Sequence, residues 1–480
     1  MRGIIAAGVH IPYHRLDRSE ITALFGQGGG RGTRSVASYD EDTTTMGAEA
    51  ARSALRNAGD VDVDSLWFAT STPAYLEKTN ATAIHAALRL APSVGALDMG
   101  GALRSGIGTL RTALTGRSTT LVVSSDIRDG MATSGDEATG GDGAAALLVG
   151  DETAGTVIAE FVGSGVATDE ILERWRIPGA PRSRVWEERF GEVAYAPLIQ
   201  DAFAAALADA GVSTDDVDHL VLTGMHNRVV KRNRTRLGVP NNKIVDDLAD
   251  TVGNTGTAHG ALMLASALEN AGPGEVIVLV VIADGTEAVV LRTTEAIVDH
   301  HASSPVSAQI AAGGSVSYGK YLSWRQMVAV EPPNRPMPNR PSASAAHRRR
   351  EWKFGFVGTR DRSSQMVHLP PARVSEKGGA VDDMEPVAMA DTEGTIASFT
   401  VDKLVYSPSP PVVFAVVDFD GGGRAPLELT DIAADEVKVG QRVEPTFRRL
   451  YTSDEIHNYF WKARPVRSVG AASADPPREG

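Results

Sequence analysis

A repeated helix-turn-strand segment constrains the fold of this chain more than any other feature. The segment Ala54–Gly59, followed by a Val-Asp pair and a leucine, recurs as Ala206–Gly211 with the same pair and a leucine after it. Each copy is followed further along by a helix and an apolar strand, at Thr119–Ser124 and again at Glu275–Ile282. Repetition of one supersecondary unit, with near-continuous apolar strands, predicts a duplicated, layered α/β domain with parallel sheets covered on both faces.

The sequence changes character after about residue 300. Residues 301–352 are rich in proline and carry the basic run His347–Arg350, which is typical of a connector. Short β-rich runs follow, separated by turn residues such as Gly421–Gly423. We expect an α/β domain over residues 1–300, a connector over 301–352, a small segment over 353–392, an all-β barrel over 393–466 and a flexible tail over 467–480.

Composition excludes several classes of function. The 480 residues carry a formal net charge of −13, which argues against broad binding to nucleic acids or anionic membranes. The apolar start of the chain is soon broken by His10 and Pro12, so it predicts neither a signal peptide nor a membrane span, and we expect a cytoplasmic protein. The chain has no cysteine, which excludes disulfides and thiolate metal sites.

The stretch Leu97–Gly106 has the pattern of a catalytic elbow. An apolar strand end runs through small residues into a helix predicted over Arg104–Leu114. Such a turn presents one side chain at a helix N-terminus, where backbone N–H groups and the helix dipole stabilise a thiolate or an oxyanion. The stretch resembles the nucleophile elbow of the thiolase superfamily, in which an acyl-accepting cysteine stands where this chain has Leu103.

Residues 1–300 resemble one branch of that superfamily, the HMG-CoA synthases and beta-ketoacyl-ACP synthase III. The resemblance rests on Ser125–Arg128, Gly141–Ala145, Trp186–Phe190, His226 and Gly253–Gly256. It implies a thiolase-like α/β/α/β/α domain, a homodimer, and acyl-CoA or acyl carrier protein as the partner. The coenzyme A thioester would then be the substrate, with no tightly bound cofactor.

The C-terminal part resembles the OB-fold domains that accompany thiolase-like acyl-CoA enzymes, on segments such as Leu369–Arg373 and Val439–Val443. In those proteins a zinc ribbon precedes the OB-fold. Its four cysteines would lie near Asp361, Ser364, Ser375 and Gly378, and all four are replaced. Because structural zinc requires thiolate or imidazole ligands at fixed spacing, we expect residues 353–392 to be a degenerate, metal-free ribbon.

Two polar residues are candidate catalytic groups. His226 follows the apolar strand 220–222, and Asn254 begins an apolar helix. In the resembled family, the matching histidine and asparagine surround the thioester carbonyl and assist proton transfer. A hydrogen-bonded histidine at a strand end and an asparagine helix cap are the structural alternatives.

Two further positions bear on the chemistry. The HMG-CoA synthase pattern places a general-base glutamate where this chain has Ser71 and Thr72, which disfavours ordinary HMG-CoA synthesis. Lys231, Arg232 and Arg234 follow His226 closely and are candidates for contact with coenzyme A phosphates, with a solvated helix face as the alternative.

Three functions remain compatible with the sequence. The first is an enzyme that makes or breaks a C–C bond of an acyl thioester without an acyl-enzyme, as in a retro-aldol reaction. The second is direct, one-step acyl transfer or condensation. The third is a degenerate subunit that binds acyl-CoA or stabilises an active partner.

Overall fold

Two units make up the part of the chain that the computed structural model describes, residues 1–467. The first comprises Met1–Ala37, Met46–Thr82 and Ala91–Tyr318, and the second comprises Ser38–Thr45, Ala83–Leu90 and the residues from Gly319 onward. Apart from Arg467, the tail predicted over 467–480 lies outside the described residues. Within residues 1–467, no helix combines the length and the apolar composition that a membrane span requires.

The strands of the first unit are β1 (Arg2–His10), β2 (His14–Asp17), β3 (Thr33–Val36), β4 (Ser65–Ala69), β5 (Gly95–Asp98), β6 (Thr120–Asp126), β7 (Gly143–Asp151), β8 (Ala159–Thr168), β9 (Arg174–Trp175), β10 (Arg184–Val185), β11 (Val217–Gly224), β12 (Val276–Ile282), β13 (Gly285–Thr293) and β14 (Gly314–Ser315). Those of the second unit are β15 (Val357–Asp361), β16 (Val367–His368), β17 (Met384–Ala388), β18 (Gly394–Asp402), β19 (Val412–Phe419), β20 (Arg424–Glu428), β21 (Arg442–Ser453) and β22 (Ile456–Pro465).

The α-helices are α1 (Ser19–Phe25), α2 (Thr43–Ala58), α3 (Ala81–Ala87), α4 (Ser105–Thr115), α5 (Gly135–Thr139), α6 (Glu188–Ala210), α7 (Asn227–Arg234), α8 (His259–Leu268), α9 (Val306–Ala311), α10 (Tyr318–Trp324), α11 (Ala343–Arg348) and α12 (Arg350–Lys353). Short 3-10 helices span Thr214–Asp216, Asn241–Lys243, Gly256–Ala258 and Glu295–Asp299.

The main sheet of the first unit contains the predicted duplication. Its nine strands run in the order β11-β12-β13-β8-β1-β7-β6-β4-β5. The order β1-β7-β6-β4 is repeated as β8-β13-β12-β11 with the same relative strand directions. The two halves meet where Gly3 and Ile4 of β1 pair with β8.

The expectation of parallel sheets is wrong for the four central strands, β13, β8, β1 and β7. Each of these strands runs antiparallel to both of its neighbours. Only Ala283 and Asp284 separate β12 from β13, and so short a connection can join only antiparallel strands. The sheet is therefore mixed, with parallel pairs confined to β4, β5 and β6 and to β11 and β12.

The repeated alanines have a packing role. A Cβ atom on Gly8 of β1 would lie 2.2 Å from the backbone nitrogen of Ala54 in α2. In the second half, a Cβ on Gly165 of β8 would lie 2.1 Å from the Ala202 carbonyl oxygen and 2.6 Å from the Ala206 nitrogen of α6. Each outer helix thus packs directly against a strand glycine, which requires small residues on both sides.

Two core clusters cover the sheet. One joins α4, through Ile107 and Leu110, to α8, through Leu262 and Met263, and to strands of both halves. The other buries Phe203 and neighbouring residues of α6 against β11, β12 and β13. Burial of these apolar side chains is the main stabilising contribution, and it leaves the strand and helix ends to form the site.

The second unit contains the all-β barrel that the sequence predicts. Its sheet has the order β20-β19-β18-β21-β22, and a bridge joins Leu429, the residue after β20, to Ala463 of β22. The segment Ser38–Thr45 belongs to this unit, where Asp40 lies 3.0 Å from the Nζ of the fully buried Lys462. A smaller sheet of β15, β16 and β17 precedes the barrel in the chain.

Candidate active site

The elbow has the predicted strand-turn-helix geometry. Strand β5 ends at Asp98 and α4 begins at Ser105, one residue from the predicted start. The turn passes through Gly100 with φ of 70°, a left-handed conformation that favours glycine. Leu103 lies in the wall of a cavity of about 730 Å³, together with Gly101 and Ala102. An apolar side chain thus stands at this point of the cavity wall, and its correspondence to a lost nucleophile stays a prediction.

His226 lies in the wall of the same cavity. It is the N-cap residue of α7, and its Nδ1 accepts a hydrogen bond from the Val229 backbone N–H at 3.3 Å. The neutral ring therefore carries its proton on Nε2, which lies 3.6 Å from Oε2 of Glu173. The structural alternative, a hydrogen-bonded histidine at a strand end, is also met, because Nδ1 caps α7. The cap does not use Nε2, which lies near Glu173.

Glu173 and Tyr195 complete an acid–base cluster, defined here as His226, Glu173 and Tyr195. Of these three residues, the sequence predicts only the histidine as a site residue. The side chains of His226 and Glu173 are 8% and 11% exposed. Burial raises the pKa of Glu173, an effect that His226 and the neighbouring Tyr195 hydroxyl oppose. Burial also raises the pKa of Tyr195, with the Glu173 charge adding to the rise. A carboxyl group with a raised pKa beside an imidazole is an arrangement suited to proton transfer.

Helix α6 holds this cluster close because of one glycine. A Cβ on Gly191 would lie 2.4 Å from Glu173 Oε2 and 2.9 Å from His226 Cδ2. Tyr195 follows one turn later on the same helix face. The first turn of α6 therefore approaches the His226–Glu173 pair more closely than any other residue type would permit.

A second cavity, of about 450 Å³, shares Glu173, Arg174, Ser183, Met225 and His226 with the first. Its other walls carry polar groups, including Asp136, Asn227 and Arg228. His226 thus borders two adjacent spaces, which gives room for a second reactant or a departing product beside the histidine.

Asn254 is not among the residues that line either cavity. Its Nδ2 donates to the Gly224 carbonyl at 3.1 Å, and its Oδ1 accepts from the Gly256 backbone N–H at 2.9 Å. Asn254 therefore connects the end of β11 to the turn before α8. Its role as a donor to a thioester carbonyl stays a prediction.

The three predicted phosphate ligands lie on α7, and none of them lines either of the two cavities described above. Arg232 pairs with Glu192 at 3.0 Å, Arg234 pairs with Asp247, and Lys231 is exposed. Their contact with coenzyme A stays a prediction, and their ion pairs agree with the alternative of a solvated helix face.

Comparison with known proteins gives matches in both units. Residues 207–293 match the family described as 3-oxoacyl-[acyl-carrier-protein] synthase III C terminal, and residues 386–448 match ChsH2, C-terminal OB-fold domain. A hydroxymethylglutaryl-CoA synthase of Thermococcus gammatolerans is 29% identical over 59% of this chain and 83% of its own length.

Solved structures give the same fold. The 3-oxoacyl-[acyl-carrier-protein] synthase III of Aquifex aeolicus superposes with a TM-score of 0.53 and 21% identity, over 61% of this chain and all of the other. The HMG synthase of the curacin pathway, in complex with an acetyl donor carrier protein, gives a TM-score of 0.58 and 20% identity over 68% of this chain and 88% of its own. The chain thus joins a thiolase-like domain to an OB-fold domain. The fold class and the resemblance stated from the sequence are confirmed, and the exact domain boundaries stay predictions.

The segment before the OB-fold domain, which the sequence predicts to be a degenerate ribbon, contains a hydrogen-bond cluster. The Asp361 carboxylate accepts hydrogen bonds from Ser363 and from Ser364, the latter at 2.5 Å. These bonds, together with the Ser375 hydroxyl, lower the pKa of Asp361. Three of the four expected cysteine positions therefore meet at one carboxylate. Within residues 1–467, no cluster of three or more histidine, aspartate or glutamate side chains has the arrangement of a metal site.

Proposed function

We propose that the chain is an enzyme that acts on acyl thioesters of coenzyme A or a carrier protein by acid–base catalysis, without a covalent acyl-enzyme. The observation that carries the proposal is the His226–Glu173 pair in the wall of the cavity that the elbow enters. The relatives named as hydroxymethylglutaryl-CoA synthases and 3-oxoacyl-[acyl-carrier-protein] synthase III support an acyl thioester as the substrate.

In this proposal, His226 Nε2–H donates a hydrogen bond to the thioester carbonyl oxygen and stabilises the negative charge that develops on it. Ionised Glu173 accepts the proton that leaves the substrate. Leu103 cannot form a thioester bond, so the acyl group is never transferred to the enzyme. Retro-aldol cleavage satisfies these limits, because an enolate needs an acid–base group and an oxyanion donor but no thiol. Direct attack by an acceptor on the bound thioester satisfies them as well.

The first test is incubation with a panel of acyl-CoAs, with and without aldehyde or amine acceptors, followed by product analysis and intact-protein mass spectrometry. We expect chain cleavage or coenzyme A release without a protein adduct, and the product distinguishes a lyase from a transferase. His226→Ala should lower kcat/KM by roughly 10²-fold or more while binding coenzyme A as before. His219→Ala is the matched control, because His219 pairs with Glu275 and lines neither cavity.

A second candidate function is a binding subunit without turnover. The absent cysteine and the replaced ribbon ligands favour it. Coenzyme A binding without turnover across the whole panel would support this function and refute the enzyme proposal.

We also propose that the thiolase-like domain forms a homodimer through β5. This strand ends the nine-stranded sheet, and its Leu97 is 53% exposed. An unpaired strand edge is a template for pairing with a second chain. Analytical ultracentrifugation of the full chain should give a dimer, and Leu97→Lys should shift it to monomer. A monomeric wild-type chain would refute the proposal.

A further inference from the structure

A basic wall of the 730 Å³ cavity, defined as Arg128, Arg176 and Ser71, has no role in the acid–base step. Arg128 Nη1 donates to the Ser71 hydroxyl at 3.2 Å, and Arg176 Nη2 donates to the Ser71 carbonyl oxygen. Two guanidinium groups therefore converge on one residue beside the elbow. The neighbouring Arg174 does not belong to this wall, because Asp136 binds it at 2.8 Å through both carboxylate oxygens.

The charge of Arg128 is only partly neutralised by the protein. The nearest carboxylate, Asp126, lies 3.9 Å away and already accepts hydrogen bonds from Thr70, Ser71, Thr72 and Thr257. Arg128 is 7% exposed, and its buried Nε donates to no atom within residues 1–467. Burial lowers the pKa of this guanidinium, with Asp126 opposing and Arg174 and Arg176 adding to the effect. A buried guanidinium with unused donors is costly unless an anion completes its hydrogen bonds.

The charged side chains of this wall are both cationic. The HMG-CoA synthase pattern has a glutamate at the position of Ser71 and Thr72. Here both residues are uncharged, and Arg128 and Arg176 contact Ser71 instead. A wall that repels cations and attracts anions serves to bind an acidic group and cannot itself act as a base.

We propose that the basic wall binds a carboxylate carried by the acyl group of the substrate. This inference rests on the proposed function, which puts the thioester between Leu103 and His226. The wall shares a cavity with both residues, whereas the long pantetheine arm keeps the coenzyme A phosphates away from the thioester. A carboxylate accepts two parallel N–H bonds from a guanidinium, which gives orientation as well as affinity. The substrate class is therefore an acyl thioester with a second, free acid group.

Binding of two non-reacting thioethers to the full chain tests the proposal. S-(3-carboxypropyl)-CoA and S-butyl-CoA have the same chain length and differ only in the terminal carboxylate. Isothermal titration calorimetry should show that the wild type binds the carboxylate compound about tenfold more tightly or better. Arg128→Gln should abolish this preference and leave the affinity for S-butyl-CoA unchanged. Arg292→Gln, an exposed arginine outside the cavity, should retain the preference.

Arg176→Gln leaves the buried Arg128–Asp126 contact in place and should reduce the preference for the carboxylate ligand. This variant replaces Arg128→Gln in the test if the Arg128 variant does not fold. Equal wild-type affinities for the two ligands would overturn the proposal. Equal weakening of both by Arg128→Gln would also overturn it, because that pattern means a contact with the coenzyme A phosphates. Neither ligand reacts, so the binding preference is measured independently of turnover. Absence of turnover with acyl-CoAs would refute the proposed function and leave the measured preference unchanged.

Discussion

At the scale of single residues, the buried Glu173 carboxyl is the group whose titration bears most on turnover. Its pKa is raised above the ordinary value of 4.5 by burial, so it loses its charge at a higher pH than an exposed glutamate does. The proposed step needs ionised Glu173, and turnover therefore falls as the pH drops through the raised pKa. We expect an acidic limb in the kcat/KM profile that lies above pH 4.5.

Glu173→Gln should remove this acidic limb and lower kcat/KM by roughly 10²-fold at neutral pH, because the amide cannot accept a proton. Glu269→Gln is a matched control: burial also raises the pKa of Glu269, but this carboxylate accepts from the Val306 backbone N–H and lines neither cavity. The measurement is kcat/KM from pH 4 to 9 for the wild type and both variants. Persistence of the acidic limb in Glu173→Gln would exclude Glu173 as its source.

At the scale of elements, the approach of α6 depends on Gly191. A methyl group there would lie 2.4 Å from Glu173 Oε2, so the carboxylate must move away from His226. Alanine also has a higher helix propensity than glycine, by about 1 kcal/mol. Gly191→Ala should therefore leave the melting temperature nearly unchanged while kcat/KM falls by about tenfold or more. Gly319→Ala is the control, because nothing lies within 4 Å of the added methyl group. Equal activity of the two variants would show that the close approach has no catalytic consequence.

The ribbon-like segment gives a second prediction at this scale. The Asp361 carboxylate gathers Ser364 and Ser375 at the positions where the resembled ribbon has thiolates. Asp361→Cys, Ser364→Cys, Ser375→Cys and Gly378→Cys combined should create a four-thiolate site that binds one zinc ion per chain, measured by elemental analysis after dialysis. The double variant Asp361→Cys, Ser364→Cys should retain little or none, since it supplies only two ligands. No zinc in the quadruple variant would mean that the turns have lost the ribbon geometry.

Across the whole molecule, local patterns predicted the fold better than the site. The duplication and the turn at Leu103 are each indicated by short sequence patterns. The repeated strand order and the strand-turn-helix geometry of the structure agree with these patterns. The antiparallel direction of β13 follows from the short connection at Asp284, which the apolar periodicity of the strands does not encode. Glu173 lies in an irregular segment without periodicity, and only the packing of α6 at Gly191 brings it to His226. Arg128 belongs to the sequence motif Ser125–Arg128, yet its chemistry depends on the hydrogen bonds that already occupy Asp126.

A buried histidine in the core of the thiolase-like domain makes the free energy of unfolding depend on pH. His259, in the first turn of α8, is fully buried, and burial lowers its pKa to about 4 from 6.5. The unfolded chain therefore binds a proton at this histidine near pH 6.5, whereas the folded chain resists protonation until about pH 4. The stability that the neutral histidine contributes is fully present above pH 6.5 and is lost as the pH falls toward 4, by roughly 3 kcal/mol over that window.

His259→Asn isolates this contribution. The amide oxygen can accept the Thr255 backbone N–H that His259 Nδ1 now accepts at 3.3 Å, and the asparagine does not titrate. The free energy of unfolding, measured with urea at pH 7.0, 5.5 and 4.5, should fall less steeply for the variant than for the wild type. Because every other titrating group is common to both proteins, the difference between the two curves reports His259 alone. Parallel curves would mean that His259 takes up its proton equally in both states, and that the core around α8 admits the charge.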